Sequence, residues 1–445
     1  MISTQNFRRL LAAALLFSMS LTLVAQDAAP ADAKFEIPAT DDGLPGAGPI
    51  RRYDWFRNLW RSRRSQWAKK VEADQGAVVF LGDSITQGWG DNMGGGFGDM
   101  KVANRGISGD TTRGMLLRLD EDVLSLHPKA VVMLMGTNDL EEGAEPATIA
   151  ANLKLIIAAL KKHNPDMPII LCEVFPSSET KRRPADKIKE INRLYKEAVH
   201  GDPQITVVDT WTLFADKEGN AKAAEFPDLL HPNKVGYAMW TAALRPIFAT
   251  LGYLETEPDN FEVEPGFVSL FNGKDLTGWM FKKTPEGQKF PKGLAWPTYS
   301  EDVVFDGKTK SDDGRYEAIH DRLVVTTPAE GRRIQQLWTT KEFPSDFILK
   351  LEFRATPNAD SGVFLRAPQL QCRDYPLAGP YKELKNYKPG DWNEMVVTVK
   401  DNVAHCTCNG EVLEEALKLP ETGPIGLEGD RGQMEYRRIR VKELK

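Results

Sequence analysis

Gly82-Asp83-Ser84 closes the apolar run Val78-Val79-Phe80-Leu81, and a helix can start from Ile85. A buried strand that stops at such a turn presents its serine hydroxyl at the carboxyl edge of a sheet, where the ligands of open α/β folds collect. The backbone N–H there sits at a helix start, which favours negative charge. Alone, the turn reads equally as a helix cap or as a nucleophile. A hydroxyl nucleophile needs a base to take its proton, and the base needs a partner to orient it. Of the six histidines, His127, His163 and His200 stand at expected helix ends, and His320 and His405 lie in a later region of different periodicity. Only His231 follows a nearby carboxylate in a loop of the α/β domain, in Asp228-Leu229-Leu230-His231-Pro232. In isolation that spacing also fits a capping pair.

Two further segments bear on the choice. Asn104-Arg105-Gly106-Ile107-Ser108-Gly109-Asp110-Thr111-Thr112 is a glycine-rich loop ahead of a helix, able to aim a backbone N–H into a site. Met135-Gly136-Thr137-Asn138-Asp139 follows the apolar run Val131–Met135 and sets an amide side chain at the same sheet edge.

The Gly-Asp-Ser turn, the Gly109 loop, Gly-Thr-Asn-Asp and Asp-x-x-His, in this order, resemble the SGNH (GDSL-type) esterase/lipase superfamily. Arg105–Leu119 further resembles the branch with platelet-activating-factor acetylhydrolase-like proteins and bacterial carbohydrate acetylesterases. The likeness runs over roughly residues 70–250. It implies a flavodoxin-like parallel sheet in a three-layer α/β/α fold. It also implies Ser84 as nucleophile, His231 as general base and Asp228 as its orienter. The oxyanion would be held by the N–H groups of Ser84 and Gly109 and by the Asn138 amide, with Asp83 and Asp139 bracing turns. Neither metal nor cofactor is called for.

The elements that must position these groups alternate. Strand-like runs at Val78–Leu81, Val131–Met135, Ile169–Val174 and Ile205–Val208 are separated by helical segments, one from near Thr111, then Pro146–Lys162, Pro184–Val199 and Pro232–Thr250. Continuous apolar strands between helices imply a parallel sheet covered on both faces. Upstream, Trp55, Leu59, Trp60 and Trp67 fall near helical spacing and predict a helix that packs an aromatic stripe on this domain. A sugar-stacking surface is the lesser alternative. Residues 26–50 are rich in Ala, Asp, Pro and Gly and read as a mobile leader.

Residues 254–264 are acidic, carry Pro258, and read as a linker from the 51–253 domain to a second domain over 265–445. Beyond the linker the period becomes two. Phe347, Leu349, Leu351 and Phe353 share a face, as do Met395, Val397 and Val399, and Asn409-Gly410 marks a hairpin. An antiparallel sandwich follows. The opening Gly266–Trp279, with Asp360–Arg366, Gly390–Glu394 and Gly423–Leu427, resembles the 3-keto-disaccharide hydrolase domain family, which implies a concanavalin-like sandwich in exported proteins that act on sugars. Where that family carries Tyr-Glu-x-Gln, this chain reads Pro368-Gln369-Leu370-Gln371. A glutamine cannot serve as a carboxylate acid or base, so sugar binding or a structural appendage is favoured over glycosidic cleavage. Trp279, Trp296 and Trp338 are candidates for stacking on sugar rings, with core packing the stronger expectation for Trp279 and Trp392.

The whole-chain properties set bounds. With 445 residues, 41% apolar and 27% charged, the chain exceeds one ordinary core. A net charge of −6 without basic blocks gives no footprint for nucleic acid. Arg8-Arg9, the apolar core Leu10–Phe17 and Ala25 form a bacterial-type secretory signal over residues 1–25, interrupted by Ser18, Ser20 and Thr22 where a membrane anchor would continue. Stable membrane insertion is not expected, and the location is extracytoplasmic, periplasmic or secreted. Cys172 reads as a core residue, and a pairing of Cys372 with Cys406 or Cys408 stays open. The combined expectation is an exported serine esterase that removes short acyl groups, chiefly acetyl, from carbohydrate, beside a domain that engages glycan. The alternatives are a lipid or lysophospholipid acyl hydrolase, against which the polar Gln87–Asn92 loop speaks, and a bifunctional protein cleaving keto-sugars.

Overall fold

A computed structural model describes residues 35–293, 296–374 and 383–444. The expected secretory signal lies outside these. Strands β1 (Val78–Gly82), β2 (Val102–Gly106), β3 (Ala130–Leu134), β4 (Ile169–Cys172) and β5 (Ile205–Val208) form one parallel sheet in the order β2-β1-β3-β4-β5. Alternate side chains enter opposite layers, as a two-residue strand period requires. Val79, Leu81, Val131, Met133, Ile169 and Leu171 pack beneath the helices Pro146–His163 and Ala185–Val199. Val78, Phe80, Val132, Ile170 and Cys172 pack beneath Lys234–Thr250. The fold is the expected three-layer α/β/α arrangement, with one strand more than the apolar runs indicated. Strand β2 is half polar, with Asn104 and Arg105 both buried at the sheet edge. Arg105 pairs with Asp74 at 2.7 Å and donates to the Asp122 carbonyl, which lets a cation occupy a strand.

The amino-terminal helix spans Asp54–Ala68 and buries Phe56, Trp60, Arg64 and Trp67 against Ile37, Ile50 and Ile107. Of the expected stripe, Trp60 and Trp67 are buried and Leu59 is partly so, but Phe56 takes the inward place expected of Trp55, which is left 52% exposed. Residues 35–50, expected as a mobile leader, lie against the domain. Ala47 exchanges hydrogen bonds with the Asn152 amide, and Arg113 binds Asp41 and the carbonyls of Pro45 and Gly48.

The second domain is an antiparallel sandwich. An eight-stranded sheet is centred on Phe347–Ala355, flanked by Asn393–Lys400 and Met434–Glu443. A six-stranded sheet holds Asp360–Leu365 between Gln369–Arg373 and Pro424–Gly429. Phe347, Leu349, Leu351, Phe353, Met395, Val397 and Val399 are all fully buried between the sheets. At the hairpin, Asn409 and Gly410 both take positive φ, 49° and 82°, as a type I′ turn demands. All four cysteines are buried, and no disulfide joins them.

The domains meet along helix Lys234–Thr250. Pro246 within it cannot donate to the Ala242 carbonyl, and Gly390 approaches so closely that a β-carbon there would come within 3.1 Å of that oxygen. The Gln433 amide donates to the Pro246 carbonyl and the Thr250 hydroxyl, and Asn358 donates to Asp209 at 2.7 Å. Glu255, just past the helix, receives Arg245 from one domain and Arg322 and Arg354 from the other. Asp259 and Glu264, in the acidic connecting segment, pair with Arg438 and Arg440 of the sandwich.

Candidate active site

The carboxyl ends of β1, β2 and β3 converge with the loop ahead of helix Lys234–Thr250. After β1, Asp83 caps the short helix Ser84–Gly88 by accepting the Ile85 N–H at 2.9 Å. Ser84 emerges half-buried beside it. The loop bearing His231 is clamped from several sides. The Asn233 side chain accepts from the Val235 and Gly236 N–H groups, Ser177 donates to the Leu229 carbonyl, and Tyr237 donates to the Ile85 carbonyl. Leu229 takes φ of 61°, a region unfavourable to a side chain with a β-carbon. That bend lets Asp228 Oδ1 accept both the Leu230 N–H at 3.0 Å and the His231 N–H at 2.7 Å.

Asp228 Oδ2 lies 2.8 Å from His231 Nδ1, and His231 Nε2 lies 2.9 Å from Ser84 Oγ. Burial raises the Asp228 pKa, but the bonds from the His231 N–H and imidazole and the Leu230 N–H outweigh it and hold the carboxyl at about 2. A carboxylate that stays ionised fixes the imidazole with Nδ1 protonated and Nε2 free to accept from the serine. Ser84, His231 and Asp228 are thus brought together as a relay able to move one proton from the hydroxyl to the imidazole.

Gly109 follows β2 at φ 86°, a conformation open to glycine. Among the described residues its N–H meets no protein acceptor. Asn138, 3% exposed, follows β3 after Gly136, which turns the chain at φ 116°. The Asn138 amide donates to the Asp110 carbonyl at 3.0 Å and accepts from Arg183 Nη2 at 2.9 Å, a pattern that assigns its nitrogen toward the Gly109 loop. Asp139 accepts from the Thr112 N–H and hydroxyl, joining that loop to the end of β3. Burial pushes Asp83 and Asp139 up to about 6 and Asp110 to about 7, the last against its fully buried partner Arg118 at 2.7 Å.

Sequence reasoning missed Arg183. Its Nε donates to the Thr137 carbonyl, its Nη1 to Lys181, and its Nη2 to Asn138 and Glu141. An arginine ahead of a helix carries no motif that would betray this. Arg51 was missed too; it pairs with Glu141 and Glu142 and lies against Gly109.

In the sandwich, Trp279 is core, fully buried, so it leaves the group of stacking candidates. Trp392 is not core. It is half-buried and held between the guanidinium groups of Arg354 and Arg437, because its turn lies outside the strands. Trp338 and Trp296 stand half-buried on a cavity of about 360 Å³ beside Phe290, Gln336 and Lys282. Gln369 reaches over Gly362, where any β-carbon would block it, to hydrogen-bond Glu428, a carboxylate that burial pushes up to about 7.

Comparison with known proteins agrees with this architecture. Residues 80–239 match the GDSL-like Lipase/Acylhydrolase family, and residues 266–442 match the 3-keto-alpha-glucoside-1,2-lyase-like domain. Platelet-activating factor acetylhydrolase IB subunit alpha1 of Pongo abelii is 27% identical over 199 residues, 43% of this chain and 84% of that protein. Subunit alpha2 of Bos taurus is 28% identical over 207 residues, 45% and 87% of the two chains. Among solved structures, a GDSL-like lipase from Bacteroides thetaiotaomicron is 26% identical and covers 42% of this chain and 97% of its own, with a TM-score of 0.37. The protein is a hydrolase acting on esters, in which a GDSL-like lipase/acylhydrolase domain is joined to a 3-keto-alpha-glucoside-1,2-lyase-like sandwich.

Proposed function

We propose that the protein is an exported serine esterase that removes acetyl groups from carbohydrate, with Ser84 as nucleophile. The observation that carries the reading is the 2.9 Å contact of His231 Nε2 with Ser84 Oγ, backed by Asp228 at 2.8 Å. Ser84 Oγ attacks the ester carbonyl as His231 takes its proton. The N–H groups of Ser84 and Gly109 and the Asn138 amide hold the oxyanion. Collapse of the tetrahedral intermediate breaks the C–O bond to the alcohol, which leaves with the proton from His231. Water then attacks the acyl-serine, with His231 again as base, and the carboxylic acid departs.

The acetyl preference is supported by the relatives' name, an acetylhydrolase. A carbohydrate alcohol is supported by the charged residues Arg51, Glu141, Glu142 and Arg183 around the oxyanion loop, which suit a hydroxylated substrate better than a lipid chain. The sandwich, by its match to a glucoside-directed domain and its Trp338, Trp296 and Phe290 cavity, is assigned to glycan engagement. Residues 1–25, with their basic head and apolar core, support export, and no helix among the described residues is long and apolar enough to cross a membrane. Ser84→Ala should abolish hydrolysis of p-nitrophenyl acetate and of acetylated xylan while leaving thermal unfolding unchanged. Retained turnover in purified Ser84→Ala protein would sink the assignment.

A further inference from the structure

We infer that Tyr53 and Trp55 form a sugar-stacking subsite at the rim of the esterase site; the inference rests on the carbohydrate-ester reading above. Both rings are large, apolar and solvent-facing, 54% and 52% exposed, while their helix neighbours Phe56 and Trp60 are buried to 1%. Their centroids lie 6.4 Å apart with planes only 12° from parallel, so the two rings stack into one aromatic plate. Trp55 stands edge-on to buried Phe56 at 5.7 Å, and the Tyr53 hydroxyl donates to Glu142 at 3.3 Å. The plate is thus held in place without a ligand, so little ordering entropy remains to be lost on binding.

Its position ties it to the reaction. A β-carbon built on Gly109 would come within 2.7 Å of the Trp55 ring and 2.8 Å of Arg51 Nη1. Trp55 therefore lies against the residue whose N–H is assigned to the oxyanion. The surroundings choose the occupant. Arg51, Glu141 and Glu142 form charged pairs along this edge, and Glu142 is already turned toward the Tyr53 hydroxyl. A pyranose ring lays its C–H face on an aromatic plate and offers hydroxyls to flanking carboxylates and guanidinium groups. A hydrocarbon chain would strip water from the same charges and return no hydrogen bonds.

The test uses full-length Ser84→Ala protein titrated with acetylated xylotriose, alone and with Trp55→Ala or Trp55→Phe added. Trp55→Ala should weaken Kd about tenfold and Trp55→Phe should restore most of the loss. In the catalytically intact protein, Trp55→Ala should lower kcat/KM on acetylated xylotriose about tenfold more than on p-nitrophenyl acetate. A Kd unmoved by Trp55→Ala, absence of saccharide binding, or equal losses on the two substrates would each overturn the subsite. Trp55-dependent binding without turnover by the intact protein would instead overturn the carbohydrate-ester reading and leave the subsite standing.

Discussion

Arg183 offers the sharpest test of how the proposed oxyanion donors are set. Its guanidinium is buried and donates at 2.9 Å to Asn138 Oδ1, which leaves the Asn138 nitrogen aimed at the Gly109 loop. Removing Asn138 itself should cost a full oxyanion donor, roughly 10²–10³ in kcat. Arg183→Ala keeps the amide but leaves it held only by its bond to the Asp110 carbonyl. The lost bond is of the charged kind, worth about 1.5–3 kcal/mol, or about 10- to 100-fold at 1.4 kcal/mol per decade. The expected result is a fall in kcat of that size on p-nitrophenyl acetate with KM little changed. Because Arg183 also bonds Thr137 and Glu141, lost activity alone could be a folding effect. The double variant Arg183→Ala/Asn138→Ala separates the two. If Arg183 acts through Asn138, the double variant is no slower per folded molecule than Asn138→Ala. Full additivity would refute the argument.

Asp228→Asn should leave the fold intact and lower kcat by roughly 10⁴, because an amide no longer holds the imidazole in the required tautomer; a loss under tenfold would count against the relay. Stability should also depend on pH through Glu173, whose carboxyl burial pushes up to about 8, with nearby Asp209 adding to the shift against Lys196. The folded protein then holds a proton that the unfolded chain, near 4.5, has released. That stabilisation is complete below pH 4.5 and is lost as pH rises through about 8. Wild-type melting temperature should therefore fall more steeply between pH 5 and 8 than that of Glu173→Gln, and parallel curves would contradict the assignment.

The fold was legible wherever burial wrote a continuous apolar run. Strands β1, β3, β4 and β5 fall on such runs, and Ile205–Val208 has the same bounds by either route. Strand β2 was not, because its edge position lets Asn104 and Arg105 replace apolar residues when neighbours satisfy them. The residues that surround Ser84 were legible because Ser84, Gly109, Asn138 and His231 each follow a strand or precede a helix, so one sheet edge must gather them. Arg183 and Arg51 were not, since each reaches across from an element without a recognisable turn. The aromatic stripe near Trp55 shows the limit of periodicity. Trp55 and Phe56 are adjacent, and composition alone does not say which of the two faces inward.

The Glu255 junction bears on how freely such domains can be exchanged. Arg322 and Arg354 are almost fully buried, and they share two carboxylates: Glu435 of the sandwich itself and Glu255, which enters from the end of the hydrolase domain's last helix. A sandwich transplanted onto another hydrolase would bring two buried cations with only Glu435 between them, and the cost of burying an unpaired charge is several kcal/mol. Each half of this protein is therefore fitted to its own neighbour, and a functional chimaera would have to carry Glu255, and the proline-freed carbonyl that Gly390 meets, along with the fold.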